Sequence, residues 1–180
     1  MLVSSTKLAG LLVIEPVVHE DVRGEFFETY HADRYRKAGI DQCFVQDNCS
    51  QSKRGTLRGL HYQDPFPQGK LVRVTDGEIF DVVVDLRQGS PTYSKWFGLT
   101  LTRASHKQLY IPPGFAHGFL VTSDSAQVVY KCTDFYRPDC QKRLRWNDPD
   151  IDITWPIDKP ILSEQDAMAP FLADGEFDVD

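Results

Sequence analysis

Residues 70–87 read KLVRVTDGEIFDVVVDLR, and this stretch decides the class of fold that the sequence predicts. Two runs rich in β-branched residues flank the dipeptide Asp76-Gly77. An Asp-Gly pair between alternating segments is the strongest short-range signal of a hairpin, because glycine adopts the positive φ that a tight turn requires. We therefore predict a turn at Asp76-Gly77 and antiparallel pairing of the two strands beside it.

Similar β-rich runs recur on both sides of this segment, separated by glycine and proline. They are LRGLHYQ (57–63), WFGLTLT (96–102), KQLYIP (107–112), GFLVTS (118–123) and QVVYKCTDFY (127–136). Many short strands broken by turn residues are typical of an all-β sandwich or barrel, and we predict that fold class.

Helical signals are short and few. HADRYRKAG, from His31 to Gly39, has a short amphipathic pattern that ends in a glycine suited to a C-cap. LSEQDAMAPF offers Ser163 as an N-cap and acidic residues in the first turn, so we predict a short helix that ends before Pro170. The closing residues ADGEFDVD predict an acidic, mobile tail over roughly 171–180.

The composition is that of a folded globular chain. Of 180 residues, 41% are hydrophobic and 26% are charged, which predicts one domain over 1–180. The formal net charge is −6 and the basic residues are dispersed, which argues against a nucleic-acid surface. No apolar run approaches the roughly 20 residues of a membrane span, so we expect no membrane association and a cytoplasmic location.

The four cysteines do not show the CxxC spacing of a zinc or redox site. They are expected to be free thiols at Cys43, Cys49, Cys132 and Cys140.

Two histidines in predicted strands raise the question of a metal site. The segment PPGFAH around His117 resembles the second cupin motif, in which the corresponding histidine binds a metal. Near His61, however, the position where the first cupin motif usually has another histidine is Gln63, and an amide is a poor transition-metal ligand. We expect a cupin-like architecture without a metal. Each histidine by itself is more often a packing or hydrogen-bonding residue than a catalytic one.

Five blocks together resemble the dTDP-4-dehydrorhamnose 3,5-epimerase family, over about residues 10–170. The blocks are DVRGEFFETY, FVQDNCSQSKRGTLRGLHYQ, GKLVRVTDGEIFDVVVDLRQGSPTY, LYIPPGFAHGF and LSEQDAMAP, in the order of the family. The resemblance implies a mainly β, double-stranded β-helix jelly roll (cupin-like) with a few short helices. It also implies a homodimer that exchanges N-terminal strands, a dTDP-4-dehydro-6-deoxy sugar as substrate, and no cofactor.

The resemblance also assigns catalytic roles. It makes His61 the base that removes protons beside the sugar carbonyl, and Tyr130 the acid that reprotonates carbon from the opposite face. Lys70 would stabilise the developing enolate oxygen. Asp166 would orient His61, but Asp81 is a second candidate for this role and the sequence does not choose between them.

Further positions are implied to bind substrate. The resemblance places Gln46, Asn48, Arg58, His117 and Tyr136 at one subunit's cavity, although packing is the stronger interpretation for Tyr136 by itself. Across the dimer interface it adds Arg23, Phe26 and Glu28. Two positions depart from the family pattern, with Gln141 where glutamate and Gln165 where lysine is expected.

Three other functions remain open from the sequence. A 3-epimerase or ketoisomerase acting on another dTDP-deoxysugar would use a similar base with a different proton donor or substrate pose. A metal-binding cupin oxygenase would contain metal after purification. A non-catalytic sugar-nucleotide-binding protein would bind the substrate without exchanging its carbon-bound hydrogens.

Overall fold

The computed structural model describes residues 1–175 and 177 as two antiparallel sheets packed face to face, with two short helices. The strands are β1 Leu2–Ser5, β2 Leu12–Glu15, β3 Val18–Asp21, β4 Gly24–Phe27, β5 Gln46–Lys53, β6 Leu57–Gln63, β7 Lys70–Asp76, β8 Glu78–Asp85, β9 Trp96–Thr102, β10 Gln108–Ile111, β11 Phe115–Val121, β12 Ser125–Cys132 and β13 Gln141–Arg143. The helices are α1 Ala32–Lys37 and α2 Glu164–Ala167, and single 3₁₀ turns cover Pro138–Cys140 and Leu172–Asp174.

The first sheet has the strand order β1-β2-β10-β7-β12-β5, and the second has the order β13-β6-β11-β8-β9. Strands β3 and β4 form a separate two-stranded ribbon. The fold is a cupin-like jelly roll with a few short helices, which confirms the predicted fold class.

The predicted hairpin at Asp76-Gly77 is wrong, although the turn is present. Gly77 has φ +76°, but β7 lies in the first sheet and β8 in the second, so the two strands do not pair. A Cβ atom on Gly77 would lie 2.0 Å from the Ser125 carbonyl oxygen, so the chain can cross between sheets there only with glycine. The crossing lets Val72 of β7 and Val83 of β8 bury their side chains in one core between the sheets.

Strand β8 is buried on both of its faces. Its inward residues Ile79 and Val83 join the core between the sheets, whereas Val82 and Val84 join a second core on the outer side of the second sheet. The C-terminal segment covers that outer side with Trp155 and other apolar side chains. A strand covered on both sides has no face toward solvent, which explains the three consecutive valines at positions 82–84.

The predicted tail is in part ordered. Phe177 is 4% exposed and packs with Tyr62 in the second core, at a ring-centroid distance of 6.0 Å, which contradicts mobility at that residue. The remainder of the prediction, at positions 176 and 178–180, lies outside the described residues.

Both predicted helices are present. Helix α1 ends before Gly39, which has φ +90°, and α2 has Ser163 as its N-cap. Helix α1 places Tyr35 in a third apolar cluster on the outer side of the first sheet. The four cysteines are free thiols, as predicted. No helix among the described residues is long and apolar enough to cross a bilayer.

Candidate active site

A cavity of about 350 Å³ lies between the two sheets and brings most of the predicted site residues together. Polar side chains from both sheets line it. The lining comprises Gln46, Asn48, Ser50, Arg58, His61, Tyr62, Gln63, Gln68, Lys70, His117, Phe119, Tyr130, Cys132, Tyr136 and Gln141.

His61 forms a close pair with Asp166. The Nε2 atom of the imidazole lies 2.6 Å from Oδ1 of Asp166, and the two residues are 105 positions apart in the sequence. Burial lowers the pKa of His61, although the hydrogen bond to Asp166 opposes this effect. The imidazole is therefore neutral near pH 7, as a proton acceptor must be.

Local structure directs Asp166 toward His61. Its backbone N–H donates to Ser163 Oγ at 3.1 Å, which fixes the first turn of α2. Its carboxylate also accepts a long 3.5 Å hydrogen bond from the Gly59 backbone N–H. Burial raises the pKa of Asp166, but these bonds and the one to His61 outweigh burial, so the pKa lies below its usual value. Asp166 thus presents a charged carboxylate that can orient the imidazole.

Asp81, the second candidate partner of His61, contacts His117 instead. Nε2 of His117 lies 2.9 and 3.1 Å from the two carboxylate oxygens of Asp81. His117 on β11 is the register partner of His61 on β6. The cavity therefore has two histidines side by side, each backed by its own aspartate.

Lys70 and Tyr130 stand on the opposite wall, since β7 and β12 belong to the first sheet whereas His61 belongs to the second. Burial raises the pKa of Tyr130, so its phenol keeps its proton at neutral pH and can donate it. Burial lowers the pKa of Lys70, and the neighbouring Cys132 and Asp81 partly offset that effect.

This arrangement suits proton transfer at carbon. It offers a neutral base on one wall, a proton donor on the other, and a buried amine that can stabilise a developing oxyanion.

Several predicted binding residues also line the cavity. Gln46 donates to Asn48 Oδ1 at 3.0 Å, and Arg58 donates through Nε to Ser52 Oγ at 3.0 Å. Among the described residues no carboxylate pairs with Arg58, so its guanidinium is available to an anionic ligand. Tyr136 is 49% exposed at the cavity, which contradicts the interpretation of this residue as a packing aromatic.

Three predicted residues do not reach the cavity of their own chain. Arg23 and Phe26 lie on the β3–β4 ribbon, where Arg23 pairs with Asp21 and Phe26 is 73% exposed. Glu28, just after the ribbon, accepts from Arg34 at 2.9 Å.

The two positions that depart from the family pattern have different environments. Gln141 lines the cavity and accepts a 2.6 Å hydrogen bond from the Tyr136 hydroxyl. Gln165 lies outside the cavity lining and accepts from Arg143 at 2.5 Å. Arg143, which the sequence analysis missed, also lies 3.4 Å from Asp166, and no local pattern in the sequence marks it.

Cys132 is a second residue whose place in the site the sequence analysis missed. It is 1% exposed and lies beside Lys70, its register partner on β7. A local signal was available, because alternate residues of a strand share a face and Cys132 follows Tyr130 by two positions.

Gln63 stands where the first cupin motif usually has a metal-binding histidine, and its side chain is hydrogen-bonded to backbone atoms. The Gln63 side-chain amide donates to the Phe66 and Phe135 carbonyl oxygens and accepts from the Arg137 N–H, at 2.6, 3.2 and 2.8 Å. Gln63 therefore fastens two loops beside the cavity. Within residues 1–175 and 177, no group of three His, Cys, Asp or Glu side chains is arranged to hold a metal ion.

Comparison with known proteins shows which family this chain is similar to. The family model described as dTDP-4-dehydrorhamnose 3,5-epimerase matches residues 5–174. A curated dTDP-4-dehydrorhamnose 3,5-epimerase from Neisseria gonorrhoeae is 50% identical over 172 residues, which are 95% of this chain. The chain spans only 52% of the length of that relative.

Solved structures show the same likeness. A dTDP-6-deoxy-D-glucose-3,5-epimerase from Legionella pneumophila, in complex with dTDP-4-keto-L-rhamnose, has a TM-score of 0.93 and 46% identity, covering 96% of this chain and 93% of its own. A 3′-monoepimerase from Streptomyces bikiniensis, in complex with dTDP-quinovose, has a TM-score of 0.89 and 37% identity, covering 94% of this chain and 87% of its own.

Proposed function

Because the chain belongs to the dTDP-4-dehydrorhamnose 3,5-epimerase family, we propose that it inverts C3 and C5 of dTDP-4-dehydro-6-deoxy-D-glucose to give dTDP-4-dehydro-L-rhamnose. The observation that carries this proposal is the cavity in which the His61–Asp166 pair and Tyr130 face each other from different sheets. A proton removed from one face of a sugar carbon and returned to the other face inverts that carbon.

The proposed chemistry begins at His61. The hydrogens on C3 and C5 are acidic because both carbons adjoin the C4 carbonyl. His61 takes the proton, the electron pair of the C–H bond forms the enolate, and the negative charge develops on the carbonyl oxygen. Asp166 orients the imidazole and stabilises its protonated form. The ammonium of Lys70 favours the enolate over the neutral ketone and so lowers the barrier.

Tyr130 completes each inversion in this proposal by donating its phenolic proton to the opposite face of the carbon. A proton then returns from the imidazolium to the phenolate through solvent, and the enzyme is restored. The ketone of the substrate is itself the electron sink, so the reaction consumes no oxidant or reductant.

The other cavity residues would bind the nucleotide sugar. Arg58, with no carboxylate partner in the described chain, suits the pyrophosphate, and Tyr136 offers a flat face to the base. We assign Gln46, Asn48 and His117 to polar contacts with the rest of the substrate.

We further propose that the chain is a single domain that acts as a homodimer, with Arg23, Phe26 and Glu28 entering the partner's cavity. The exposure of Phe26 at 73% on a ribbon that pairs with neither sheet supports this arrangement. A cytoplasmic location is consistent with four cysteines that remain free thiols.

Proton NMR of dTDP-4-dehydro-6-deoxy-D-glucose in deuterium oxide tests the proposed activity, with purified protein and no added metal or nicotinamide. We expect deuterium at both C3 and C5. Exchange at C3 alone would instead support a 3-epimerase, the activity of the similar Streptomyces bikiniensis protein. No exchange at either carbon would contradict the epimerase proposal.

Replacing Tyr130 with phenylalanine is expected to slow inversion at C5 more than deuterium exchange at C3. Exchange requires only that His61 remove the proton, whereas inversion also requires a proton donor on the opposite face. The variant keeps the ring that packs against the core between the sheets and removes only the proton donor. Loss of one general acid typically costs a factor of about 10²–10⁴ in rate. Product analysis by NMR measures the two carbons separately, and an unchanged rate of C5 inversion would exclude Tyr130 as the acid.

A further inference from the structure

Arg143 contacts the His61–Asp166 pair from outside the active-site cavity. It lies on β13 as the register partner of His61 on β6. Its Nε atom lies 3.4 Å from Oδ1 of Asp166, the same oxygen that lies 2.6 Å from His61 Nε2. Arg143 is absent from the lining of the cavity and instead lines a separate groove with Gln165 and Met168. Arg143 therefore reaches the carboxylate on the side away from the proposed substrate.

Two amide side chains hold the guanidinium of Arg143 without neutralising it. Its Nη2 atom donates to Oε1 of Gln165 at 2.5 Å and, more weakly, to Oε1 of Gln141 at 3.5 Å. These are the two positions that depart from the family pattern. A glutamate at 141 would add a negative charge beside the guanidinium, and a lysine at 165 would offer it no acceptor. Among the described residues, Asp166 is the only carboxylate that pairs with Arg143.

The contact between Arg143 and Asp166 is one of charge. Nε of Arg143 is buried and has no hydrogen-bond partner in the part of the chain that the structure describes. A buried donor without a partner costs stability, so this arrangement calls for another explanation. The side chains of Arg143 and Asp166 are 24% and 5% exposed, so solvent screens their charges only in part.

We propose that Arg143 is a positioning residue, which holds the Asp166 carboxylate from outside the cavity and whose charge favours the neutral imidazole of His61. A carboxylate beside an imidazole orients the ring but also stabilises its protonated form, which cannot accept a proton. A cation on the far side of that carboxylate offsets the second effect and keeps the first. The inference rests on the proposed function, because a neutral imidazole matters only if His61 is the base.

Several charges act on His61 together. Burial lowers its pKa, the hydrogen bond and charge of Asp166 raise it, and the charges of Lys70 and Arg143 lower it further. A variant at position 143 changes only the last of these charges. The other titratable side chains around His61 keep their identity in that variant, and they are Arg58, Asp64, Asp81, His117, Tyr130, Cys132 and Lys142.

The test measures the titration of His61 in the free protein by NMR of its imidazole C–H protons. The signal is identified by its absence from His61→Ala. In Arg143→Met the positive charge is lost, so we expect the midpoint to move to higher pH by about one unit. Arg143→Lys keeps the charge and should leave the midpoint close to that of the wild type.

The rate of deuterium exchange at C3 should follow the same shift. The protonated imidazole is inactive as a base, so a higher pKa of His61 moves the acidic limb of kcat/KM to higher pH. A shift of one unit corresponds to about a tenfold lower rate on that limb in Arg143→Met. Arg143→Lys should restore the rate. If Arg143→Met does not fold, Arg143→Gln removes the same charge and keeps a donor for Gln165.

Arg145→Met is the matched control. Arg145 donates to the Ala169 carbonyl oxygen at 2.5 Å and its guanidinium lies over the Phe171 ring, so it fastens the segment that follows α2. Its loss should loosen that segment without removing a charge beside Asp166. We expect a lower melting temperature and an unmoved titration of His61.

An unmoved titration of His61 in Arg143→Met would overturn this role, whatever happens to the rate. An equal shift in Arg145→Met, or a shift that Arg143→Lys does not restore, would also overturn it, because the charge would not be the cause. Failure of the proposed function looks different. The wild type would then show no exchange, although its His61 titration would still respond to the charge at position 143.

Discussion

His61→Ala is expected to abolish deuterium incorporation at both C3 and C5 of the keto sugar, with a loss of rate on the order of 10³-fold or more. One imidazole serves both carbons in the proposed reaction, so both exchanges should fail together. The change removes the imidazole that lies 2.6 Å from Asp166, whereas the neighbouring His117 is held by Asp81 and not by Asp166. Proton NMR in deuterium oxide measures both positions in one sample.

The fold should survive this change, because His61 lines the cavity and its side chain is 27% exposed. The melting temperature of His61→Ala should therefore remain within a few degrees of the wild type. His31→Ala is the matched control, since His31 precedes α1, makes no capping hydrogen bond through its side chain and is absent from the cavity lining. Exchange that persists in His61→Ala would remove this residue as the base.

Asp166→Asn separates orientation from proton transfer within the same experiment. The amide keeps the shape of the carboxylate but neither stabilises the imidazolium nor selects the same tautomer. An exchange rate between those of the wild type and His61→Ala is consistent with an orienting role. The comparison also distinguishes Asp166 from Asp81, which forms its side-chain hydrogen bonds with His117 and not with His61.

Local sequence patterns predicted the strands better than their partners. The run WFGLTLT coincides with β9, because alternation and β-branching are properties of the strand itself. The turn at Gly77 was also predictable, since only glycine fits there. Which strand lies beside β7 was not, because that depends on apolar residues of β10 and β12, more than 30 positions away.

Local sequence patterns also could not predict which residues of the candidate site lie in contact. The contact between His61 and Asp166 spans 105 positions, and no periodicity or spacing carries that information. Only the resemblance to a family favoured Asp166 over Asp81. The acidic composition of the C-terminus likewise led to the prediction of a mobile tail, although the ring of Phe177 is buried in the second core.

Gly59→Ala is expected to lower the free energy of unfolding by about 4 kcal/mol, the largest stability effect that we predict. Gly59 lies on β6 with φ +131°, a conformation that side chains rarely adopt. A Cβ atom there would also lie 2.5 Å from the Gly118 Cα and 2.9 Å from the His117 carbonyl oxygen. Both are backbone atoms of β11, so no side chain can move aside to make room.

Gly89→Ala separates the two causes of this loss. Gly89 has φ +72°, but nothing lies within 4 Å of an added Cβ, so only conformational strain of about 1 kcal/mol is expected. Urea denaturation of both variants measures the difference, and equal losses would contradict a collision between β6 and β11. Because Gly59 donates to Asp166 and precedes His61 by two residues, any folded Gly59→Ala protein should also lose exchange activity. The close approach of two strands thus fixes both the stability of the second sheet and the position of the proposed base.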